Sequence, residues 1–459
     1  MSQIHDSGNR AGVIATLVLL SWGALVFGGN YPWAYWPMIF VAAMIGLADL
    51  VRPDARDGRP AAVIVSFLVL LSAVLLQVVP LPGSVLATVS PAADSLLRQL
   101  WLGYALEGAG VQRHALSMAP QQTLTALAFL VSYSLLMFST SRLTRRALRH
   151  LVGGIIGLGA VLALVGIIQK PFFTGKIYGF WEPITRGSSF GPFINRNHFA
   201  GWTIMALPLA ITFAIACASR RSGAHASSAR TRMIWWSTPD ASQTLLAGFA
   251  ATLIAVALLL TFSRSGILSA AVVLVLLFWK VVQRRGRRGV VALTAIGLIV
   301  VLGWIGVGPL LDRFADSSTL TVSGRVLAWQ QTMAVIRDFP HAGTGLNTYG
   351  LVMVVYQTLP GEGHLDAAHS DYLQLVAEGG WLLSLPILIV VGCFVREVRR
   401  RFERERTGSG YWIRLGACYG LLAIAIQSAV DFSLQMPGNA ALFSVLAGIA
   451  LHQAGASAE

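Results

Sequence analysis

Charged residues are scarce in this chain of 459 residues, and acidic residues are the scarcer class. Asp, Glu, Lys and Arg together make up 12% of the sequence, against about 25% in an average soluble domain. Hydrophobic residues make up 55%, and the mean hydropathy is +0.66. A chain this apolar cannot bury all of its hydrophobic surface in a water-soluble core. The composition therefore excludes an ordinary soluble protein and predicts an integral membrane protein.

Cysteine is also scarce, and acidic residues do not balance the basic ones. Cys217, Cys393 and Cys418 lie within or at the edge of apolar runs, so we expect no disulfide.

The chain has 34 Lys and Arg residues against 20 Asp and Glu. The basic residues cluster in short loops between apolar runs, and they form no basic face interleaved with aromatic residues. We therefore expect membrane lipids as partners and no nucleic acid.

Long apolar runs dominate the rest of the chain. Twelve of them approach the roughly 17–25 residues that cross a bilayer. They lie near residues 11–28, 33–50, 61–79, 122–140, 150–169, 199–218, 243–262, 265–282, 289–307, 380–395, 411–430 and 437–453. The sequence therefore predicts an all-α integral membrane protein with about 12 transmembrane helices. We divide it into an N-terminal membrane bundle with a periplasmic amphipathic segment, 1–189, and a second membrane region, 190–459.

Basic residues are distributed unevenly over alternate loops. If successive loops alternate across the membrane, 24 of the Lys and Arg residues fall on the side of the termini and 10 on the other. The positive-inside rule then places both termini in the cytoplasm of a multi-pass inner-membrane protein. Three long loops, 80–121, 170–198 and 308–379, face the periplasm. The last of these precedes the tenth predicted helix, and we expect the active site on this side.

The long loops contain amphipathic segments. Ser90-Pro91 predicts a helix start, with Pro in the first turn. Ser323 is the predicted cap of a helix in the longest loop. The apolar stripes at helical spacing are Leu96, Leu97, Leu100, Trp101 and Tyr104; Val326, Trp329, Met333 and Ile336; and Leu346, Tyr349, Val352, Met353 and Tyr356. Interfacial helices of this kind pack on a bundle or on headgroups, and here they would roof a cavity.

Two polar groups lie at the periplasmic ends of predicted spans, where polar residues are costly and usually functional. Ser263-Arg264-Ser265-Gly266 separates two apolar runs, and the Arg264 guanidinium suits bidentate phosphate binding. The alternative for Arg264 is snorkelling to lipid headgroups. Asn195, Arg196 and Asn197 precede the sixth span, at a helix N-terminus that favours anions. The alternative there is a polar turn that only caps the helix.

Two further polar groups lie in the longest loop. Arg325 falls in the first turn of its predicted helix, where it either reaches the same cavity or remains solvated beside a glycine cap. His364, Asp366, His369 and Asp371 follow. Their spacing is loose for zinc, so we expect no metal. The ordinary pKa of a histidine side chain lies close to neutral pH, so a histidine is the better candidate for a general base.

These four groups, in this order, resemble the O-antigen ligase superfamily, which includes O-antigen ligases, polysaccharide polymerases and protein O-oligosaccharyltransferases. The matching stretches are 193–201, 261–266, 324–329, 338–345 and 369–379. The resemblance is strong from about 190 to 385, and the first half of the chain resembles the family only in its topology. The chain departs from the family at Ala367, where many members have a second histidine.

The resemblance implies a glycosyltransferase that moves a glycan from undecaprenyl pyrophosphate to a periplasmic acceptor, with inversion and without metal or other cofactor. The acceptor is a glycan in a polymerase and a lipid A-core in a ligase. By the family's pattern Arg264 and Arg325 bind the pyrophosphate and His369 is the base. The residues assigned to substrate binding are Asn195, Arg196, Asn197, Asp371 and Arg186.

Two other functions compete with this prediction. A transporter of polyisoprenoid-linked glycans would carry intramembrane charges along a path and inverted repeats. Arg264 is such a charge, but few others lie within the apolar runs, and the acidic residues lie mostly in loops. A non-catalytic membrane scaffold would not need four polar groups on one side.

Overall fold

The fold was analysed in a computed structural model that describes residues 2–51, 60–106, 113–184, 188–219, 237–285, 319–358 and 363–453. The ninth predicted apolar run, 289–307, lies outside these residues. So does Arg186, one of the predicted substrate-binding residues.

Helices make up most of the described chain. They are α1 (Ser2–Leu25), α2 (Pro32–Leu50), α3 (Ala61–Leu76), α4 (Gly83–Val89), α5 (Pro91–Leu100), α6 (Leu102–Leu106), α7 (Pro120–Ser141), α8 (Arg145–Gln169), α9 (Arg196–Ser219), α10 (Pro239–Leu260), α11 (Arg264–Arg285), α12 (Thr319–Asp338), α13 (Tyr349–Tyr356), α14 (Asp371–Arg404), α15 (Gly408–Gln427) and α16 (Pro437–Leu451). Short 3₁₀ turns lie at Phe27–Gly29, Lys170–Phe172 and Ser433–Gln435, and β1 (Leu81–Pro82) pairs antiparallel with β2 (Arg113–His114).

Eight of the described helices are long and apolar enough to cross a membrane, namely α2, α7, α8, α9, α10, α11, α14 and α15. Three shorter apolar helices accompany them, at Asn9–Leu25, Ala61–Leu76 and Pro437–Leu451. Together these helices cover every predicted run except 289–307. The prediction of an all-α membrane protein is therefore confirmed, and the count of twelve spans stays a prediction.

Helix α9 lies at the centre of the bundle. In its most apolar window 83% of the residues are buried, against 17% in α14. It packs against α15, where Gly416 and Gly420 face the backbone of Leu209 and Met205. Small residues of this kind let helix backbones approach closely without a hydrophobic driving force from water. The start of α9, which carries the Asn195–Asn197 group, is therefore held on a rigid element.

The two ends of the bundle differ in chemistry. At one end, which we call the basic end, Arg142 Nη1 lies 2.9 Å from Asp49 Oδ2, and Arg414 Nη2 lies 3.0 Å from Glu405 Oε2. His452, just after α16, bonds the Leu143 carbonyl at 2.8 Å. The C-terminal helix therefore ends beside the short basic loops, and the long loops lie at the other end, the loop end.

The amphipathic helices pack into one layer at the loop end. Leu97 and Tyr104 share a hydrophobic cluster with Val335, Tyr349 and Val352, so α5, α6, α12 and α13 contribute to one core. The predicted start at Ser90-Pro91 agrees with α5, but the first stripe is interrupted at Trp101, between α5 and α6. Helix α13 carries the last stripe except Leu346, which precedes it. The loops 80–121 and 308–379 therefore lie on the same side of the bundle.

The predicted cap at Ser323 was wrong. Helix α12 begins at Thr319, so Ser323 is inside it and Arg325 lies beyond its first turn. A serine competes only weakly with main-chain hydrogen bonds once the residues before it are helical.

Helix α14 bends sharply at Gly380, which has φ 52° and ψ −153°. The bend leaves the carbonyls of Ala377 and Glu378 without helical partners. They accept from the backbone of Thr344 at 3.0 Å and Gly345 at 2.9 Å. The kink therefore holds the glycine-rich segment that leads into α13, because main-chain groups buried in a membrane must find partners.

Candidate active site

Arg264 opens helix α11 directly after a tight turn. Helix α10 ends at Leu260, Phe262 has a positive φ of 51°, and Ser263 Oγ accepts from the Gly266 amide at 3.3 Å. The break therefore falls at 261–263, slightly before the predicted 263–266. Gly266 packs against Ala200 of α9. Arg264 is half-buried, at the loop end and beside the start of α9.

The start of α9 combines a cap with a contact to another loop. Asn195 Oδ1 accepts from the Asn197 amide at 2.9 Å, so Asn195 caps the helix. The Asn197 carbonyl accepts from Gln427 Nε2 at 3.1 Å and from Ser433 Oγ at 3.2 Å. Arg196, between the two asparagines, is half-buried. The alternative of a capping turn holds for Asn195, and Asn197 has a further contact role.

Residues 428–436, which we call the connecting loop, join α15 to α16 and were missed by the sequence analysis. This loop and its flanks carry Gln427, Ser428, Asp431, Ser433, Gln435 and Asn439. The available signal was a run of polar residues between two apolar spans on the predicted periplasmic side. Gln427 Nε2 also lies 3.5 Å from Ser265 Oγ. The connecting loop therefore links the starts of α9 and α11.

Asp431 in the connecting loop faces Arg325. Arg325 Nη2 lies 3.6 Å from Asp431 Oδ2, with side-chain exposures of 34% and 1%. Asp431 Oδ1 accepts from the Phe432 amide at 3.0 Å and from Ser433 Oγ at 3.2 Å. Burial raises the pKa of Asp431 above its ordinary value, while Arg325 opposes that shift. A buried carboxylate thus holds an arginine whose guanidinium is one-third open to the outside.

His369 also contacts the connecting loop and lies two residues before the start of α14. It has a positive φ of 51°, and Ser370 caps the helix by accepting from the Leu373 amide at 3.4 Å. The imidazole packs edge-on against Phe432, with ring centroids 5.1 Å apart. Burial, and then the charge of Arg325, lower the pKa of His369 below its ordinary value. The side chain is therefore neutral near pH 7, the form that accepts a proton.

Asp371 anchors the connecting loop. Its carboxylate accepts from Ser428 Oγ at 2.8 Å and from Gln435 Nε2 at 3.3 Å, and its amide donates to the Ser428 carbonyl at 3.0 Å. The sequence analysis assigned Asp371 to substrate binding, which stays a prediction. The contacts show that it ties the start of α14, and so His369, to the loop that carries Asp431.

His364 lies in a different setting. Its Nε2 is 3.3 Å from Asp366 Oδ1, and both side chains are exposed, at 43% and 76%. Within the described ranges, no group of three or more His, Cys, Asp or Glu side chains is arranged to hold a metal. His364 is thus exposed beside Asp366, whereas His369 is a half-buried neighbour of Arg325.

The connecting loop therefore brings together residues from distant parts of the chain. Arg325 reaches it through Asp431, and His369 reaches it through Phe432. Ser265, directly after Arg264, lies 3.5 Å from Gln427 at the end of α15, where the loop begins. Guanidinium groups suit oxyanions, which they bind through paired hydrogen bonds. A neutral imidazole beside them suits proton removal. The arrangement can hold a phosphate-containing group and deprotonate a hydroxyl near it.

Residues 249–388 match the family model described as O-Antigen ligase. The match runs from α10 into α14 and includes Arg264, Arg325, His369 and Asp371, while Asn195–Asn197 and the connecting loop lie outside it. A comparison with curated proteins gives no match. The region 249–388, with its two arginines and its histidine at the loop end, is therefore similar to the O-antigen ligase family.

Proposed function

We propose that this protein is a metal-independent glycosyltransferase of the bacterial inner membrane. It transfers a glycan from undecaprenyl pyrophosphate to a periplasmic acceptor. The observation that carries the proposal is the convergence of Arg325 and His369 on the connecting loop, beside which Gln427 contacts Ser265, the residue after Arg264. The reaction takes place in the region 190–459, with the loop end facing the periplasm and both termini in the cytoplasm.

Arg264 and Arg325 bind the pyrophosphate of the donor. Pyrophosphate is a good leaving group, and the bond to the anomeric carbon breaks with negative charge developing on a phosphate oxygen. Two guanidinium groups on separate helices stabilise that charge without reorganising at the moment of reaction. Asp431 supports the second of them, because its buried carboxylate faces the Arg325 guanidinium.

His369 is the general base. It removes the proton from an acceptor hydroxyl as that oxygen attacks the anomeric carbon from the face opposite the pyrophosphate. The new glycosidic bond forms with inverted configuration, undecaprenyl pyrophosphate leaves, and the proton passes from the imidazole to solvent. The lowered pKa of His369 keeps the ring in its accepting form at neutral pH.

The remaining predicted residues contribute to substrate binding. Arg196 lies at the start of α9, where a helix N-terminus adds positive potential. Asn195, Asn197 and Asp371 shape the same region through the contacts of the cap and the connecting loop. Arg186 completes the set in the loop before α9. The acceptor is a sugar hydroxyl of a lipid A-core in a ligase or of a growing glycan in a polymerase.

The two histidines provide the direct test. Full-length protein in lipid is supplied with a lipid-linked glycan and an acceptor, and product is measured for His369→Ala and His364→Ala. We expect His369→Ala to abolish transfer and the exposed control His364→Ala to keep most of it. Transfer should continue in EDTA. Activity that disappears in EDTA and returns with a divalent ion would overturn the metal-independent mechanism.

A further inference from the structure

Lys170, at the end of α8, lies far outside the family-matched region but contacts the turn before Arg264. Its Nζ donates to the Leu260 carbonyl at 2.6 Å and lies 3.9 Å from the centroid of the Phe262 ring. Leu260 is the last residue of α10, and the last carbonyls of a helix have no partner within it. An ammonium group at this position also interacts favourably with the negative end of the helix dipole.

Phe262 needs such a contact because its backbone is strained. Its φ of 51° lies in the left-handed region, which is unfavourable for a residue with a large side chain. A cation over an aromatic face is attracted to the ring, and the attraction is stronger where the pair is desolvated. Lys170 is half-buried and joins residues on both sides of Thr261. It therefore stabilises the conformation from which α11 starts.

Gln169, the residue before Lys170, makes similar contacts to the loop before α9. Gln169 Nε2 donates to the Gly191 carbonyl at 3.0 Å, and Gln169 Oε1 accepts from the Tyr178 amide at 3.0 Å. The end of α8 thus holds two segments at once: the loop that leads to α9 and the turn that leads to α11. Arg196 and Arg264 follow these two segments directly.

We propose that Lys170 is a positioning residue that holds the 261–263 turn and thereby places Arg264 at the donor site. The positioning of the turn stands on the contacts of Lys170 alone. Its consequence for transfer rests on the proposed function, in which Arg264 binds pyrophosphate.

The test uses full-length protein in lipid nanodiscs and begins with amide hydrogen exchange over residues 258–268. Lys170→Met keeps the aliphatic stem and removes the cation. Lys170→Arg keeps a cation that can donate to the Leu260 carbonyl and lie over the Phe262 ring. Lys176→Met is the matched control, because Lys176 is exposed on the same segment. We expect amide exchange over 258–268 to be roughly tenfold faster in Lys170→Met, because one charge-assisted hydrogen bond is lost. Lys170→Arg and Lys176→Met should exchange at the wild-type rate.

Transfer kinetics provide the second readout. We expect Lys170→Met to raise the KM for the donor and Lys170→Arg to restore it. Adding Arg264→Lys to Lys170→Met should change the donor KM by less than the two single effects combined, since both act through one guanidinium. Unchanged exchange over 258–268 in Lys170→Met would overturn the positioning role. Faster exchange with unchanged donor kinetics would support the hold on the turn and count against Arg264 as a donor ligand, which separates the two proposals.

Discussion

The pair formed by Arg325 and Asp431 joins a partly exposed cation to a buried carboxylate. Such a pair contributes less as a source of stability than as a constraint on position, because burying a carboxylate has a desolvation cost that the attraction only offsets. Asp431 also accepts from Ser433 and the Phe432 amide, so its own position is well determined. The guanidinium of Arg325 is therefore oriented by a carboxylate that is itself held by hydrogen bonds.

Replacing Asp431 with Asn should disturb the position of the Arg325 guanidinium without preventing the protein from folding. The amide keeps the size of the side chain and removes the charge that holds Arg325. We expect membrane insertion to remain and transfer to fall by roughly tenfold to hundredfold, the typical cost of a misplaced catalytic contact. Asp366→Asn is the control, since Asp366 is 76% exposed. Equal activity in the two variants, measured as initial rates at equal protein, would contradict the role of Asp431.

The pKa of His369 predicts where activity is lost in acid. A base is active when neutral, so transfer falls as pH drops through its pKa. Burial and Arg325 lower the pKa of His369, so the acid limb of kcat/KM should lie below the ordinary value of 6.5. Arg325→Gln removes a positive charge that disfavours imidazolium, and the limb should move to higher pH. Arg325→Lys should lower the rate of transfer, because lysine cannot make the two parallel hydrogen bonds of a guanidinium. It keeps the positive charge, so the acid limb of the pH profile should stay in place.

Two results in these pH profiles would contradict the role of His369. A wild-type limb above 6.5, or a limb that stays in place in Arg325→Gln, would remove His369 from the role of base.

The kink in α14 shows how one element positions another. Gln77 Nε2 donates to the Ala342 carbonyl at 2.7 Å and to the Glu378 carbonyl at 2.9 Å, so α3 also supports the bend. Glu378 accepts from the Asn347 amide at 2.8 Å and the Tyr349 amide at 3.0 Å, and so orients the start of α13. The bend is thus the point at which the membrane helix and the layer at the loop end are joined.

Gly343 should be intolerant of a side chain for two reasons. Its φ of 65° favours glycine, and an added Cβ would meet the backbone of Glu378 and Gly379. We expect Gly343→Ala to destabilise the protein by at least about 1 kcal/mol and to lower its Tm in detergent. Gly153→Ala in α8 is the matched control, because nothing lies within 4 Å of the added Cβ and alanine favours a helix. A Tm for Gly343→Ala at or above that of the control would contradict the account of the kink.

On the scale of the whole molecule, the two ends of the bundle differ in the groups that they carry. Arg142, Arg401 and Arg414 make ion pairs at the basic end. The loop end carries the layer of amphipathic helices and the connecting loop. In the proposed function, the pyrophosphate of a lipid-linked donor meets this layer. The architecture suits such a reaction, because the layer lies at one end of the apolar helices.

Reporter fusions test which compartment each end faces. A reporter placed after Gly223 should be active as a cytoplasmic fusion, and one placed after Gly361 as a periplasmic fusion. The physical reason is the excess of Lys and Arg in the loops on the side of Gly223. Two reporters in the same compartment would contradict the predicted topology.

Local features of the chain were predictable. Eleven of the predicted apolar runs fall on described helices, eight of which are long enough to cross a membrane. Hydrophobicity of roughly 20 consecutive residues needs no knowledge of tertiary structure. Ser90-Pro91 and the turn before Arg264 were found from residue type and spacing. Ser323 shows the limit of such signals, since a capping residue also occurs inside helices.

The sequence by itself determined that the bilayer is the solvent, that the chain is helical, that Arg264 and His369 lie at helix starts, and that Arg325 is on the same predicted side. These properties follow from composition and short-range periodicity. Only the tertiary structure decided that Asp431 faces Arg325, that Phe432 contacts His369, and that Lys170 holds the turn before Arg264. Each of these contacts joins helices that are separate in sequence, and the packing of the bundle, rather than any local pattern, brings them together.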